Sequence, residues 1–304
     1  MTPPTLFNPY RFAGSGAKWY GDRGLCFGGN SKSKTIEYIE IPTTSNATDF
    51  GDLLTGKNWV SRQSPSNNDR IVIMGGDTRT VDMEYVSPAS TGNASDFGDL
   101  LLALAGIGGC SNGTRGLGMG GDKTDYSNSD VIQYVEIDTT GNATDFGDLV
   151  LGQAFCCGIS NETYGLAAGT EPTGNDISYV TIDTTGNASD FGNLTVGRRH
   201  PCSVGNGTRG CFAGGNSPSP TDVIDYVTID TPANATDFGD LAANMGAMAG
   251  CDNNDRGVYM GGYNGDTSST QKACQYITVD TTGNTTTFGD LTNDTADFGG
   301  GSGN

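Results

Sequence analysis

The stretch Asn142-Ala-Thr-Asp-Phe-Gly-Asp-Leu149 recurs almost unchanged along this chain and decides the class of fold. The other five copies begin at Asn46, Asn93, Asn187, Asn234 and Asn284. Successive copies start 47, 49, 45, 47 and 50 residues apart in the 304-residue sequence. A period in this range is typical of β-propeller blades and of helical solenoid repeats. The residue types inside the unit therefore have to decide between those two architectures.

Composition and pattern favour β-structure. Glycine accounts for 48 of the 304 residues, which disfavours helices and supplies tight turns. In the fifth unit, Val223–Ile229 alternates apolar and polar residues as a half-buried strand does, and shorter strands are expected at 201–204, 211–215 and 236–241. One small four-stranded sheet cannot bury both its faces, so neighbouring units must pack around an axis. The sequence predicts an all-β protein, a six-bladed β-propeller of four-stranded antiparallel blades.

The whole chain, 1–304, is predicted to be a single propeller domain. The approximate blades are 11–53, 54–100, 101–149, 150–194, 195–241 and 242–291, followed by a C-terminal tail, 292–304. With these blade boundaries, the first strand of the first blade comes from the region Ala13–Tyr20. Ring closure then depends on the remaining ends, Leu6–Phe12 and Thr292–Gly299, and the tail is expected to resemble a fourth strand.

Three features recur in register and carry a family resemblance. A Gly-Gly pair follows the second strand in five units, a tyrosine lies in each third strand, and a phenylalanine lies in each fourth strand. The phenylalanines are Phe50, Phe97, Phe146, Phe191, Phe238 and Phe288. The chain resembles the kelch family of propellers, with Phe-Gly-Asp-Leu where a kelch repeat carries Trp and Leu. The resemblance implies the fold but not the activity, because kelch repeats occur in enzymes and in binding scaffolds.

The near-identical Thr-Thr-Gly-Asn-Ala-Thr-Asp-Phe-Gly-Asp-Leu units also resemble repeat proteins encoded by marine bacteriophages. That resemblance implies a virion protein, assembled in the host cytoplasm and present in many copies per particle, as a tail appendage or a capsid decoration. Its expected partners are other virion proteins and, through multivalent weak binding, glycan on the host surface.

The charge of the chain narrows the choice of partners. The formal net charge is −19, which repels phosphate, so neither nucleic-acid binding nor adsorption to anionic membranes is expected. No apolar stretch is long enough to span a membrane or resembles a secretory signal, so we expect no membrane insertion. The eight cysteines have no metal-ligand or redox spacing and are expected to be buried free thiols, with a disulfide at Cys156 or Cys157 as the alternative.

The sequence contains little that indicates catalysis or a cofactor. His200 is the only histidine, so a two-histidine copper site of the kelch-type galactose oxidases cannot form. We predict no catalytic residues, no resident metal and no cofactor, with Ca²⁺ bound by loop oxygens as the alternative. The repeated aspartates are expected to accept backbone N–H bonds in turns, a structural role shared by Asp49, Asp96, Asp145, Asp190 and Asp237.

A contrast between loops locates the predicted binding surface. The turns between strands one and two and between strands three and four barely change from unit to unit, whereas the loops between strands two and three differ. Divergent loops are free to make individual contacts. The aromatic and cationic residues expected on that variable rim are Trp59, Arg79, Tyr126, Arg198, Arg199, Tyr263 and Lys272.

The sequence therefore predicts a non-enzymatic structural or adhesion protein of a phage particle. Two alternatives stay open at this point. One is a carbohydrate-active propeller enzyme that uses carboxylates near the axis, for which two facing acids about 5 to 10 Å apart would be the sign. The other is a kelch-type protein-interaction scaffold.

Overall fold

The computed structural model describes residues 21–304, and these residues contain β-strands but no helix. The sequence expectations for Leu6–Phe12 and Ala13–Tyr20 lie outside the described residues. Within residues 21–304, no helix has the length and apolarity that a membrane span requires. The all-β prediction is confirmed.

The strands are numbered in chain order. They are β1 (Arg23–Gly28), β2 (Thr35–Glu40), β3 (Thr48–Asp52), β4 (Ile71–Met74), β5 (Thr80–Val86), β6 (Ser95–Ala105), β7 (Gly108–Ser111), β8 (Arg115–Met119), β9 (Asp122–Lys123), β10 (Ser129–Glu136), β11 (Thr144–Gln153), β12 (Cys157–Ser160), β13 (Tyr164–Thr170), β14 (Gly174–Thr181), β15 (Ser189–Asn193), β16 (Cys202–Gly205), β17 (Arg209–Ala213), β18 (Thr221–Thr228), β19 (Thr236–Gly246), β20 (Ala249–Asp252), β21 (Arg256–Asn264), β22 (Ser269–Thr278), β23 (Thr286–Thr295) and β24 (Phe298–Gly303).

Antiparallel sheets of these strands are arranged as a β-propeller. The sheet orders are β24-β1-β2-β3, β4-β5-β6-β9, β11-β10-β8-β7 and β12-β13-β14-β15, and one eight-stranded sheet runs β16-β17-β18-β19-β21-β22-β23 with β20 paired to β21. The structure thus has four separate four-stranded sheets, and not the six that the sequence predicted. The reason is that long fourth strands extend past their own unit: β19 pairs with β21 at Met245–Asn264 and Gly246–Tyr263, and β6 pairs with β9.

In the second unit, residues 61–66 occupy the innermost position without forming a regular strand. The Ser61 N–H donates to the Met74 carbonyl at 3.1 Å, and the Val72 N–H donates to the Pro65 carbonyl at 2.8 Å. Pro65 has no N–H to offer a strand ladder, which explains the broken pairing.

The ring closes differently from the prediction. Strand β24, the last of the chain, pairs antiparallel with β1 from Arg23–Gly303 to Gly28–Phe298. The C-terminal tail is therefore the innermost strand of the first sheet and does not act as a fourth strand. The echo of the repeat at Thr295–Gly299 was misleading because Phe298 lies on β24, which pairs with β1 and not with a third strand.

The phenylalanine of each fourth strand packs between neighbouring units. Phe50, for example, shares a buried cluster with Leu25 of its own unit and with Ile71 and Ile73 of the next. The third-strand tyrosine meets the same phenylalanine edge to face, with ring centroids 5.7–6.1 Å apart in all six units. These rings supply apolar contact that one small sheet could not provide alone.

The repeated asparagine, and not the repeated aspartate, makes the backbone contacts of the motif. Asn142 Oδ1 accepts the N–H of Asp99 in the preceding unit at 3.0 Å, and the same bond recurs around the ring at 3.0–3.1 Å, including Asn46 to Asp290. The predicted acceptor role of the aspartates is wrong: their side chains are exposed, and no hydrogen bond to them is found in residues 21–304. The exposed aspartates are Asp49, Asp96, Asp145, Asp190 and Asp237.

The glycine of the motif is required by a close approach between units. A Cβ on Gly147 would lie 2.4 Å from the Gly186 carbonyl oxygen, and the φ of Gly147 is +148°. A Cβ added to the equivalent glycines of the other units would lie 2.2–2.5 Å from the backbone of the next unit. Only glycine lets the outer strand of one unit approach the loop of the next this closely.

The turn between strands one and two joins units in the same repeated way. Asn112 Oδ1 accepts the N–H groups of Thr114 and Arg115, and its Nδ2 donates to Asp183 of the next unit at 2.7 Å. Equivalent Asn–Asp bonds of 2.6–3.1 Å occur at four other junctions. Arg115 also lies over the Tyr134 ring at 4.3 Å and donates to the Ile182 carbonyl. We call the side of the ring that carries these turns the turn face, and the opposite side the loop face.

Candidate functional site

Six residues, one from each unit, form a closed cycle around the axis at the loop face. They have φ values between +53° and +61°, and each donates its N–H to the carbonyl of the previous member at 2.7–3.3 Å. The members of this axial mouth are Trp59, Gly106, Phe155, His200, Ala247 and Asp297. The hydrogen bonds of this cycle fix the six backbone positions. The positions are equivalent, although their side chains differ.

Aromatic rings fill one side of the axial mouth. Phe155 stacks on His200 with centroids 4.4 Å apart and an interplanar angle of 16°. Trp59 meets Phe155 edge to face at 5.7 Å. The His200 side chain is 13% exposed and lies among these rings.

The side chain of Arg62, from the second unit, reaches the axial mouth from the interior of the ring and is 1% exposed. Its Nη2 lies 2.5 Å from His200 Nδ1 and 3.4 Å from Asp297 Oδ1. Burial, together with the charge of Arg62, lowers the pKa of His200 to about 4, so the ring is neutral at pH 7. Burial acts to raise the pKa of Asp297, but its contact with His200 and the charge of Arg62 outweigh burial and leave that pKa below its ordinary value.

At pH 7 the mouth therefore holds an ion pair, Arg62–Asp297, with a neutral imidazole between them. Because Arg62 donates to His200 Nδ1, that nitrogen is the acceptor and the proton of the neutral ring is on Nε2. The arrangement fixes the His200 tautomer by burial and hydrogen bonding.

A cluster of three predicted rim residues continues outward from the mouth. The Arg79 guanidinium lies 4.2 Å from the Tyr126 ring centroid and 6.0 Å from that of Trp59, and it is ion-paired with Asp122. The Tyr126 side chain is 76% exposed. We call Trp59, Arg79 and Tyr126 the aromatic–arginine cluster.

The other predicted rim residues do not share these contacts. Arg198 is a correction: it is fully buried, forms a 2.8 Å ion pair with Asp225 and donates to the Phe212 carbonyl. Arg199, which is partly exposed, is ion-paired with Glu171 at 2.6 Å. The two adjacent arginines differ because neighbouring residues in an extended segment point to opposite sides.

Tyr263 and Lys272 lie on the sixth unit. Tyr263 is 38% exposed on β21, and Lys272, exposed on β22, is ion-paired with Asp290 at 3.3 Å. Both are at the surface, as expected, but in a different unit from the aromatic–arginine cluster.

Small polar side chains surround the axis at the turn face. Ser111 Oγ donates to the Ser66 carbonyl at 2.6 Å, and Ser160 Oγ donates to the Ser111 carbonyl at 2.6 Å. In the sixth unit an aspartate replaces the serine, and Asp252 accepts the Gly205 N–H at 2.9 Å. Burial raises the pKa of Asp252 to about 7, against the lowering effect of that hydrogen bond. The positions of this serine ring are Ser66, Ser111, Ser160, Gly205, Asp252 and Ser302.

Between the two ends, the innermost segments pack backbone to backbone. A Cβ on Gly109 would lie 2.1 Å from the Gln63 carbonyl oxygen, and one on Gly158 would lie 2.4 Å from the Gly109 carbonyl oxygen. A Cβ on Gly250 would lie 2.5 Å from the Ser203 carbonyl oxygen, and one on Gly300 would lie 2.3 Å from the Gly250 carbonyl oxygen. The small pocket at the turn end is lined by serines, Cys110, Ile159, Gln63 and one carboxylate, that of Asp252.

The described residues contain neither a candidate metal cluster nor an exposed thiol. No group of three or more His, Cys, Asp or Glu side chains that could hold a metal occurs within the part of the chain that the structure describes. All eight cysteines are buried and free. Burial raises their pKa values, for example to about 12 for Cys157, so they are poor nucleophiles and poor metal ligands at pH 7.

Sequence reasoning missed Arg62, Phe155 and Asp297. The residues of the axial mouth share no side-chain type, so no repeated letter marks the position. Arg62 did leave a signal in the sequence. It is a charged residue at a position where the next two units have the apolar residues Ile107 and Cys156.

The chain matches no protein-family model, and no curated protein is significantly similar to it.

Proposed function

We propose that the chain is a non-enzymatic, six-bladed, kelch-like propeller that serves as a structural or adhesive component of a phage virion, as a tail appendage or a capsid decoration. The six-blade count is supported by the axial mouth, which takes one residue from each of six units into a closed cycle. On this view the eight-stranded sheet is two blades joined by the two residue pairs between β19 and β21.

One observation carries the functional part of the proposal. On the turn face the same side chains bond unit to unit around the ring, whereas the loop face carries the aromatic–arginine cluster, in which Tyr126 is 76% exposed. Loops that differ on a rigid scaffold are where binding contacts concentrate. We therefore assign display to the loop face.

The chemistry of the cluster fits weak capture of glycan on a host surface. Arg79 holds the Tyr126 ring in place, and a sugar can stack its C–H face on an exposed aromatic ring while its hydroxyls bond to neighbouring charged groups. Many copies per particle would multiply a small affinity per site. The partners on the other side would be virion proteins, and assembly would take place in the host cytoplasm.

The packing at the axis supports a non-enzymatic role over a carboxylate-based hydrolase. Such an enzyme places two carboxyl groups about 5 to 10 Å apart across its substrate. The pocket at the turn end is lined by the single carboxylate of Asp252, among serine hydroxyls.

The test uses the full chain displayed in many copies on beads, against a panel of bacterial surface polysaccharides. We expect capture by the wild type and a loss of capture with Tyr126→Ala. Tyr263→Ala removes an exposed tyrosine outside the cluster and is the matched control. Capture that survives Tyr126→Ala, or a mass-spectrometry inventory of the source particle that lacks the chain, would contradict the proposal.

A further inference from the structure

Five large aliphatic side chains are exposed at two consecutive positions that follow the repeated motif. They are Leu54 at 46%, Leu101 at 46%, Leu102 at 37%, Val150 at 50% and Leu151 at 54%. Leu54 follows the buried leucine of the Phe-Gly-Asp-Leu motif just past the end of β3, whereas the other four follow it within β6 and β11. We call these five residues the aliphatic stripe.

The later units do not repeat the stripe. Where the second unit has Leu101-Leu102, the fourth has Thr195-Val196, the fifth Ala242-Ala243 and the sixth Thr292-Asn293. The buried leucine before them is the same in every unit and is 2–6% exposed. The fold therefore does not need large aliphatic residues at the outer positions, and their presence in three units requires another explanation.

The stripe belongs to three consecutive units whose outer strands are joined. The Gly92 N–H donates to the Phe50 carbonyl at 2.8 Å, and the Gly141 N–H donates to the Phe97 carbonyl at 2.7 Å. These bonds hold the outer strand of the first unit against the second unit, and the outer strand of the second unit against the third. The aliphatic residues therefore lie on three adjacent units, along one part of the circumference.

Acidic residues border the stripe on the same strands. Asp52, Asp99 and Asp148 each precede the buried leucine, and all three are exposed. A second copy of this chain, at a net charge of −19, would bring aspartates against aspartates. Charge complementarity instead fits a surface of opposite sign.

We propose that the aliphatic stripe is a docking surface for a different protein, whose contact surface is apolar and bordered by lysine and arginine side chains. The proposal rests on the proposed function in one respect, that the chain docks on another protein of its assembly. It places that contact on the outer edge of the first three units.

The test uses the full chain and a synthetic amphipathic helical peptide with a leucine face bordered by lysines. A second peptide has glutamate in place of each lysine. The stripe variant combines Leu101→Ala, Leu102→Ala, Val150→Ala and Leu151→Ala, and so copies the Ala242-Ala243 pair of the fifth unit. The control variant, Thr195→Ala with Val196→Ala, changes the same position in the fourth unit.

We expect the lysine peptide to bind the wild type and the control variant equally, and the stripe variant at least about tenfold more weakly, with unchanged melting temperatures. The glutamate peptide should not bind. Equal binding of the lysine peptide to the stripe variant would overturn the proposal. So would self-association of the wild type in sedimentation that the stripe variant abolishes, because the occupant would then be a second copy. Tyr126→Ala should leave peptide binding intact, so failure of glycan capture and failure of docking are separate results.

Discussion

At the turn end of the axis, serine hydroxyls and Asp252 bond to the backbone of neighbouring units, whereas at the loop end Arg62, His200 and Asp297 bond to one another. The backbones at both ends follow the same six-fold repeat. The turn end has serine at four of its six positions, and the axial mouth at the loop end has six different residues. Positions that build the ring are therefore repeated, and positions free of that demand have diverged.

The largest expected effect comes from Asp252, which breaks the pattern at the turn end. Its pKa, raised to about 7 by burial, means that the folded state keeps a proton that the unfolded chain releases near pH 4. The contribution of this group is then fully present below pH 4 and is lost as pH rises through 7, by up to about 4 kcal/mol. Asp252→Ser restores the residue of four other units and should remove this loss. Urea unfolding at pH 5 and pH 8.5 measures it, and an equal pH response in both proteins would refute this account of the turn end.

His200 gives the opposite sign at the loop end. Its pKa, lowered to about 4, means that the folded state excludes a proton that the unfolded chain binds near pH 6.5. Stability from this group is present above pH 6.5 and is lost as pH falls through 4, by about 3 kcal/mol. His200→Gln, which keeps a neutral acceptor for Arg62, should remove this contribution, so the unfolding free energy of the wild type minus that of the variant should fall by about 3 kcal/mol between pH 6.5 and pH 4. A variant as acid-sensitive as the wild type would show that His200 does not cause the slope.

Gly147→Ala tests the close contact between outer edges. The added Cβ would lie 2.4 Å from the Gly186 carbonyl oxygen, in a conformation that alanine rarely adopts, so we expect a loss of about 3 kcal/mol in unfolding free energy. Gly141→Ala, where nothing lies within 4 Å, is the matched control and should change stability by less than about 1 kcal/mol. Equal losses in the two variants would mean that the contact is not a constraint.

The smallest effect compares one side chain from each face. Asn206→Ala removes the acceptor of the Thr208 and Arg209 N–H groups and the donor to Asp280, and should cost about 1 to 2 kcal/mol. Tyr126→Ala on the loop face should cost less than about 0.5 kcal/mol, because its side chain is largely exposed. Thermal unfolding of both variants measures the difference. A larger loss of stability in Tyr126→Ala than in Asn206→Ala would contradict the assignment of structural contacts to the turn face and of display to the loop face.

The repeated residues predicted the strands, the buried phenylalanines and the variable face, because each unit of the fold contains each of these features once. They could not predict the source of the innermost first strand, since the glycine-rich β24 carries no apolar alternation and pairs with a strand more than 270 residues away in sequence. The motif also hid which polar residue makes the contacts: the asparagine recurs in six copies and the aspartate in five, but only the asparagine, for example Asn142, bonds to the preceding unit. The axial mouth was predictable only in part, because its shared feature is backbone conformation.

The central claim is that the C-terminal strand closes one continuous ring, so that every unit has neighbours on both sides. Native-state hydrogen exchange on the full chain tests it most directly. We predict that the amides of Phe298–Gly303 and of β1 exchange as slowly as those of the inner strand β12. Exchange of Phe298–Gly303 at the rate of an unfolded segment, with β12 protected, would show that the ring is open at this junction.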